Sequence, residues 1–364
     1  MIIMIILDII SALALIVSMV YIAGLFLFSL PYRRINEKKK FPLVSIIMAT
    51  KNEEAVIEKT LKALKKINYP KFEIIVADSS TDRTARIARK YARVITDRHA
   101  SKSHALNLAV KRSRSKVLYI IDADTVVEKG TLKKLVSALD SKYDAVAGLN
   151  IPENRQNIVT YISRMGLAHL NYFQKSINRI IKTSVIPGRN FVICKKVLEG
   201  VGGFKDVLTE DVNLSLRLYK IGKKIDIMPA VCREKVPERM SWYLRQQERW
   251  VAGSMAEIKS ALGHISLYEK YVSLPCILLL ISLPGIMVLS ALAYSITYAI
   301  AFLVLTAIAF LTMLFSSLRY LDVQDAVLSP IFSTAYGLIF LFTIAVVASK
   351  KLRGKEIKWY KTPR

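Results

Sequence analysis

Val117-Leu-Tyr-Ile-Ile-Asp122-Ala-Asp124 is the stretch on which the reading of this chain turns. An apolar run of strand length stops abruptly in two carboxylates. Working outward, the same design recurs upstream. Val44–Ala49 reads as a buried strand, and Glu53–Ile67 repeats apolar residues at Ile57, Leu61 and Leu64, a helical period. Phe72–Ala77 is a second strand and Thr81–Tyr91 a second helix. Val94-Ile95 is a short strand, Ser103–Arg112 a helix, Lys129–Leu139 a helix and Tyr143–Leu149 a strand. Strands alternating with helices predict an α/β domain with a mainly parallel sheet covered on both faces. Ligands of such sheets sit beyond the carboxyl ends of the strands.

Those ends are acidic. The first strand runs into Asn52-Glu53-Glu54, the second ends in Asp78 with Ser79, Ser80, Thr81 and Asp82, and the third ends in Asp122-Ala-Asp124. Ser79, Ser80 and Asp82 suit helix N-caps as well as ligand contacts. Asp122 and Asp124 are harder to explain that way. In extended geometry residues two apart share a face, and adjacent carboxylates repel unless a cation lies between them. Hard oxygen ligands of this kind select Mg²⁺ or Mn²⁺, which keep positions open for substrate phosphates. Further on, Thr209-Glu210-Asp211 precedes a helical stretch through Leu214, Leu218 and Ile221. Its acids either stabilise the helix start or hold a general base at a fixed point. Ser241–Leu262 reads as an amphipathic helix on which Gln246, Arg249 and Trp250 share one face. That face offers a stacking surface with donors, suited to a sugar or a diphosphate.

Composition divides the chain differently. Of 364 residues, 53% are hydrophobic, and 54 Lys and Arg against 28 Asp and Glu give a net charge of +26. This apolar content excludes a disordered chain. Three scattered cysteines, Cys194, Cys232 and Cys276, exclude a disulfide framework or a zinc site. The apolar residues concentrate in 2–30, where Asp8 is the only charge, in Tyr271–Ser316 and in Ala326–Ser349. A span needs ~20 residues, so 1–31 is expected to be an N-terminal transmembrane anchor. It is read as retained rather than cleaved, because Met1–Leu7 carries no basic residue. Arg33, Arg34 and Lys38–Lys40 follow it, which places the next segment in the cytosol. Region 269–349 is expected to hold two or three spans. Three would put the basic tail, 350–364, outside, against the charge rule. A break at Pro284-Gly285 that leaves only 286–316 spanning would restore it.

In this order the motifs resemble a membrane-embedded inverting glycosyltransferase of family 2, the group of hyaluronan, chitin and cellulose synthases, ceramide glucosyltransferase and more distant polyprenyl-phosphate sugar transferases. The resemblance covers residues ~41–260 and rests on the whole series. The series is Asn52-Glu-Glu54, Asp78-Ser-Ser-Thr-Asp82, Lys102 with Ala105-Leu-Asn107, Asp122-Ala-Asp124, Val201-Gly-Gly-Phe204, Thr209-Glu-Asp211 and Gln246-x-x-Arg249-Trp250. The ending Trp359–Arg364 resembles membrane members of the group. The resemblance implies a Rossmann-like GT-A fold at 41–240, an interfacial helix at 241–268 and a nucleotide-diphosphate sugar donor, UDP- or GDP-linked. It implies that Asp78, Glu53 and the backbone at Ala49 and Thr50 meet the base. Lys102 would lie near base or phosphate, and Asp122 and Asp124 would hold Mg²⁺ or Mn²⁺ and the ribose-diphosphate. Asp211 would be the base. Glu210, Gln246, Arg249 and Trp250 would cap the diphosphate and line the acceptor site. Two positions depart from the pattern: Ser101 stands where glycine is usual, and Arg239 follows Glu238 where threonine is expected.

Three functions compete for such a chain. A basic nucleic-acid binder suits the charge, but no nucleic-acid motif is present and acidic strand ends oppose phosphate backbones. A transporter lacks spans and intramembrane charges beyond Asp8. A transferase fits best. The few spans favour a lipid-linked or glycolipid acceptor at the cytosolic face of the cell membrane over an extruded polymer. A homodimer forming a channel would rescue the processive synthase. His99, His104, His169 and His264 are separated and match no ligand pattern, and Cys232 reads as packing. Asn154–Ile181 is expected to be a helical insertion near the acceptor side, and Gly188 either lets substrate approach the backbone or makes a turn.

Overall fold

A computed structural model describes residues 32–35, 40–99, 101–140, 142–181, 183–261 and 323–357. The runs 2–30 and 271–316, with the Pro284-Gly285 break and the end of the tail, lie outside the described residues.

The strands are β1 (Val44–Thr50), β2 (Phe72–Asp78), β3 (Arg93–Thr96), β4 (Val117–Ile120), β5 (Val126–Val127), β6 (Ala145–Pro152), β7 (Phe191–Cys194) and β8 (Ile225–Glu234). They form one sheet in the order β3-β2-β1-β4-β7-β6-β8-β5. The half built from β3, β2, β1 and β4 is parallel throughout, as the alternation with helices predicts. The other half is mixed. β7 runs antiparallel to both β4 and β6, β6 pairs parallel with β8, and β5 is antiparallel to β8. The β6–β8 ladder slips between Ala147 and Leu149. There Gly148 lies against the Ala230 carbonyl and the Asn190 side chain, with no room for a Cβ.

The helices are α1 (Ile57–Lys65), α2 (Thr84–Ala88), α3 (Lys102–Arg112), α4 (Thr131–Ala138), α5 (Ile158–Ile181), α6 (Lys195–Gly200), α7 (Glu210–Lys220), α8 (Met240–Ala261) and α9 (Val323–Leu352). Both faces of the sheet are covered. Ile46, Met48, Val76 and Tyr119 pack with Ile57, Leu61 and Leu64 of α1 and Leu132 and Leu135 of α4. Ile47, Ile75, Leu118 and Ile120 pack on the other face with Ala105, Leu106 and Ala109 of α3 and Leu214 and Leu218 of α7. Helix α1 starts at Ile57, the first residue of its apolar period, rather than at Glu53, because Asn52 adopts a left-handed φ of 56° and Glu53–Val56 close a turn first.

Arg33 straps the segment before β1 onto this body. Its Nε donates to Asp226 at 2.6 Å, Nη1 to Asp140 at 3.2 Å and Nη2 to the Ala138 carbonyl at 2.7 Å. Its guanidinium lies over the Tyr143 ring.

The Ala326–Ser349 run falls on α9. Within it, Ala335–Leu352 is the one helix among the described residues long and apolar enough to cross a membrane, and only 17% of that stretch is buried. The buried strip rests on α5 and α8. Tyr336 covers Gly166 of α5, Phe332 stacks on Tyr161, and Val347 packs on Val251 and Ala252 of α8. Lys350 pairs with Glu248 of α8.

Candidate active site

The strand ends gather the acids, and each is spent differently. Asp78 is buried, and its Oδ1 accepts from the hydroxyls of Thr50 and Ser80, both at 2.6 Å, while its Oδ2 takes the Ser80 amide. Ser80 in turn accepts the Asn52 amide at 2.8 Å. Asp82 takes the Thr84 amide at 2.9 Å and its hydroxyl, closing the entry to α2, and also accepts the Glu54 amide. The Glu53 amide donates to Thr84 at 2.8 Å. Thr50, Glu53 and Asp78, with half-buried Ala49, thus form one braced rim at the ends of β1 and β2.

A second group lies past β4. That strand stops at Ile120, and Asp122–Thr125 is a turn, closed by the Thr125 amide on the Asp122 carbonyl. The extended geometry expected for Asp122 and Asp124 is therefore corrected, because the chain folds back after Ile121 toward β5. Both carboxylates remain close enough to act on Arg189. The Lys102 ammonium bridges Asp122 at 3.0 Å and Glu210 at 2.9 Å. Burial works against that charge, but the two carboxylates prevail and hold Lys102 well above its ordinary pKa. Its side chain keeps 32% of its exposure, while the ammonium itself is engaged by the two carboxylates.

Lys102 is delivered by the start of α3. Ser101 caps the helix, accepting the His104 amide, and donates to Asp206 at 2.7 Å. Ser103 donates to the Lys205 carbonyl, and Asn107 exchanges two hydrogen bonds with Phe204. The serine that replaces the usual glycine is thus a fastener between α3 and the Val201–Asp206 loop. His99 and His104, expected to be apart, meet with ring centroids 4.0 Å apart and planes tilted by 51°, and His104 meets Asp97 at 2.7 Å. The cause is local: the turn after β3 folds His99 back onto the first turn of α3.

Glu210 and Asp211 open α7. Asp211 Oδ1 accepts its own neighbour's amide, Val212, at 2.8 Å. Burial, and then the charge of Glu210, push the Asp211 carboxyl up to about 6, against the pull of Lys102, Val212 and Arg249. Arg249 stands opposite on α8. Its Nη1 donates to the Leu208 carbonyl at 3.4 Å, its buried Nε has no hydrogen-bond partner, and burial lowers its pKa despite Glu210 and Asp211. Gln246, one turn earlier, is buried, and Trp250 is half-buried.

Two contributors, Arg189 and Gly253, were not among the residues expected from the sequence, and Gly188 was read there only as an approach point or a turn. Arg189 sits 3.7 Å from Asp122 and pairs with the buried Glu234. Gly188, at φ +52°, faces Asp211: a Cβ there would stand 2.7 Å from Oδ2. The left-handed backbone fits the turn that was one of the two expectations for this glycine. Gly253 of α8 meets Thr209 in the same close manner. A glycine and an asparagine flanking Arg189, both suited to left-handed backbone, were the available signal. Cys232 is buried and donates to Asn150, as packing requires.

A doubly covered α/β sheet with acids and a bridging lysine at its strand ends, closed by an arginine-bearing helix, defines a GT-A-like domain. Residues 45–202 match the family described as Glycosyl transferase family 2, so the chain carries a glycosyltransferase domain of that family. It is 34% identical over 235 residues to the Probable glycosyltransferase YdaM of Bacillus subtilis, covering 59% of this chain and 56% of that relative. The chain thus spans little more than half the length of that relative. The Poly-beta-1,6-N-acetyl-D-glucosamine synthase of Staphylococcus epidermidis is 24% identical over 314 residues, 79% of this chain and 76% of the relative. Among solved structures, the mannosyltransferase PcManGT from Pyrobaculum calidifontis, in complex with GDP-Man and Mn²⁺, superposes with a TM-score of 0.64 at 21% identity. That superposition covers 96% of this chain and 99% of that one and shows the shared fold.

Proposed function

We propose that the chain transfers a sugar, with inversion, from a nucleotide-diphosphate sugar to a lipid-linked or glycolipid acceptor. The reaction would take place at the cytosolic face of the cell membrane, into which the apolar runs would anchor it. One observation carries the reading: Lys102 bridges Asp122 to Glu210, beside Asp211, with Arg249 facing both acids. A departing diphosphate needs cations, and an attacking hydroxyl needs a base; this cluster supplies both within one cleft.

The donor set fits a divalent ion. Asp122 and Asp124 offer hard oxygen ligands, and among the described residues no third His, Cys, Asp or Glu joins them. Mg²⁺ or Mn²⁺ tolerates so few protein ligands because diphosphate and water complete its shell. When bound, the ion neutralises diphosphate charge. Lys102 and Arg249 add to that neutralisation. Asp211 accepts the proton of the acceptor hydroxyl as its oxygen bonds to the anomeric carbon. The bond from that carbon to the diphosphate oxygen breaks, and the electron pair leaves with the diphosphate. One base suffices for a single displacement that inverts the centre, and no second carboxylate nucleophile is required. The rim of Thr50, Glu53 and Asp78 would seat the nucleotide base, and Gln246 and Trp250 would line the acceptor path.

The test is sugar transfer from radiolabelled UDP- and GDP-sugars by membranes holding the full chain, with and without Mn²⁺. The rate is expected to rise with pH through about 6, because Asp211 must lose its proton to act and titrates there. A flat profile between pH 5 and 7 speaks against Asp211 as base. The match over most of the poly-N-acetylglucosamine synthase favours a second reading, a processive polysaccharide synthase, in which a homodimer could complete a channel. Product size separates the two: a single added sugar is expected, and a ladder of lengths would install the synthase.

A further inference from the structure

Gly253 is buried on α8, one turn after Arg249. A Cβ at this position would stand 2.6 Å from Thr209 Cγ2, 2.7 Å from Thr209 Oγ1 and 3.1 Å from Leu208 Cβ. Only a residue without that atom lets α8 lie so close to this segment. Arg249 reaches Leu208 of the same segment, through its bond to that residue's carbonyl. Leu208-Thr209 leads directly into Glu210 and Asp211.

The Thr209 side chain contributes no hydrogen bond to this arrangement. It occupies the N-cap position of α7 without a side-chain cap, and its buried hydroxyl has no partner. A threonine that neither caps nor bonds serves by its shape. From the other side Gly188 presses on Asp211 itself. The acid pair therefore sits between two glycine surfaces, one touching the reacting carboxylate and one touching the residue before Glu210.

We infer that Gly253, through its contact with Thr209, is a positioning residue that sets how close the Arg249 guanidinium stands to Asp211. The inference rests on the proposed transfer reaction and goes beyond it by naming what fixes the base–cation distance. The mechanism is steric. A contact below 3 Å cannot persist, so an added methyl pushes α8 away from the Leu208–Thr209 segment. α9 holds α8 against such a shift, because Val347 packs with Val251 and Ala252, with Leu208 against the same cluster, and Lys350 is paired with Glu248. Displacement therefore falls on the Arg249 side. Misplacement by a fraction of an ångström to 1 Å at a reacting centre costs up to ~10²-fold in rate.

The experiment compares parent, Gly253→Ala and Gly253→Ala/Thr209→Ala as full chains in membranes. Gly253→Ala is expected to lose ~10- to 100-fold in kcat, with the nucleoside diphosphate affinity in Mn²⁺ within twofold of the parent. Its acid limb should also move to higher pH. Asp211 faces Glu210 on α7, Lys102 from α3 and Arg249 from α8, and withdrawing one of the two cations favours the protonated carboxyl. A merely loosened fold lowers the amount of active enzyme without moving that limb. The double variant removes Cγ2 and Oγ1, restores the clearance and should regain at least ~10-fold in kcat. Parental kcat and pH limb in Gly253→Ala, or a double variant no faster than the single, overturns the inference while the transferase reading stands. A parent that transfers from neither UDP- nor GDP-sugars overturns the reading, and the inference with it.

Discussion

Asp211→Asn is expected to abolish sugar transfer, by ~10³-fold or more, while making the protein more stable at neutral pH. A general base contributes ~10²- to 10⁴-fold, and the amide cannot take the hydroxyl proton. The stability gain has the opposite origin. The Asp211 carboxyl titrates at about 6 in the folded chain, above the range of an unfolded aspartate, because burial and Glu210 disfavour its charge. Below about pH 4 the group is protonated in both states and carries no penalty. As pH rises toward 6 the unfolded chain has released its proton and the folded chain has not, so stability falls. At pH 7 the ionised group costs on the order of 2–3 kcal/mol. Asparagine removes that cost and keeps an oxygen for the Val212 amide. Thermal melting at pH 7 should rise by a few degrees in the variant, and the gain should vanish near pH 4. A variant both active and no more stable at pH 7 would refute the role and the electrostatics together.

Asp122→Asn is the second large effect, and it separates catalysis from folding. In the structure Asp122 holds Lys102 and faces Arg189. Neither cation is orphaned by the change, since Lys102 keeps Glu210 and Arg189 keeps Glu234. The fold should therefore survive, with melting within a few degrees of the parent. Transfer should drop by ~10²- to 10³-fold, the size of effect seen when one group that stabilises developing charge is removed. Raising Mn²⁺ should recover part of the rate, because the ion loses one of its two carboxylates. A variant with parental activity at every Mn²⁺ concentration would remove Asp122 from the metal site.

The legible half of the fold is the parallel half, where strands alternate with helices along the chain. Val44–Thr50 is apolar because helices cover it above and below, so its continuous run reads as a central parallel strand. β7 is four residues long and β8 carries Pro229 beside the slip at Gly148, so neither shows an unbroken pattern. Strand direction is not written in an apolar run at all, which is why the antiparallel β7 was invisible. The site divides on the same principle. Asp122, Lys102, Asp211 and Arg249 stand in motifs whose order is readable, and the structure brings them together where the proposed reaction would need a metal, cations and a base. Arg189 stands in a short turn with no periodicity, and its partner Glu234 lies forty-five residues away in sequence. Gly188 and Gly253 matter through distances between elements, which no local pattern encodes.

Arg33 gives the chain a mechanical property. The guanidinium grips α4's last carbonyl and two acids at the base of the sheet, so the segment just after the first apolar run is part of the rigid body rather than a tether. A domain on a free leash samples many tilts above a surface. A domain pinned at residue 33 inherits whatever tilt its upstream segment adopts, with the strand ends aimed in one direction. Cutting the chain before Tyr32 keeps the pin, whereas cutting before Phe41 discards both the pin and the cover it places over Asp226.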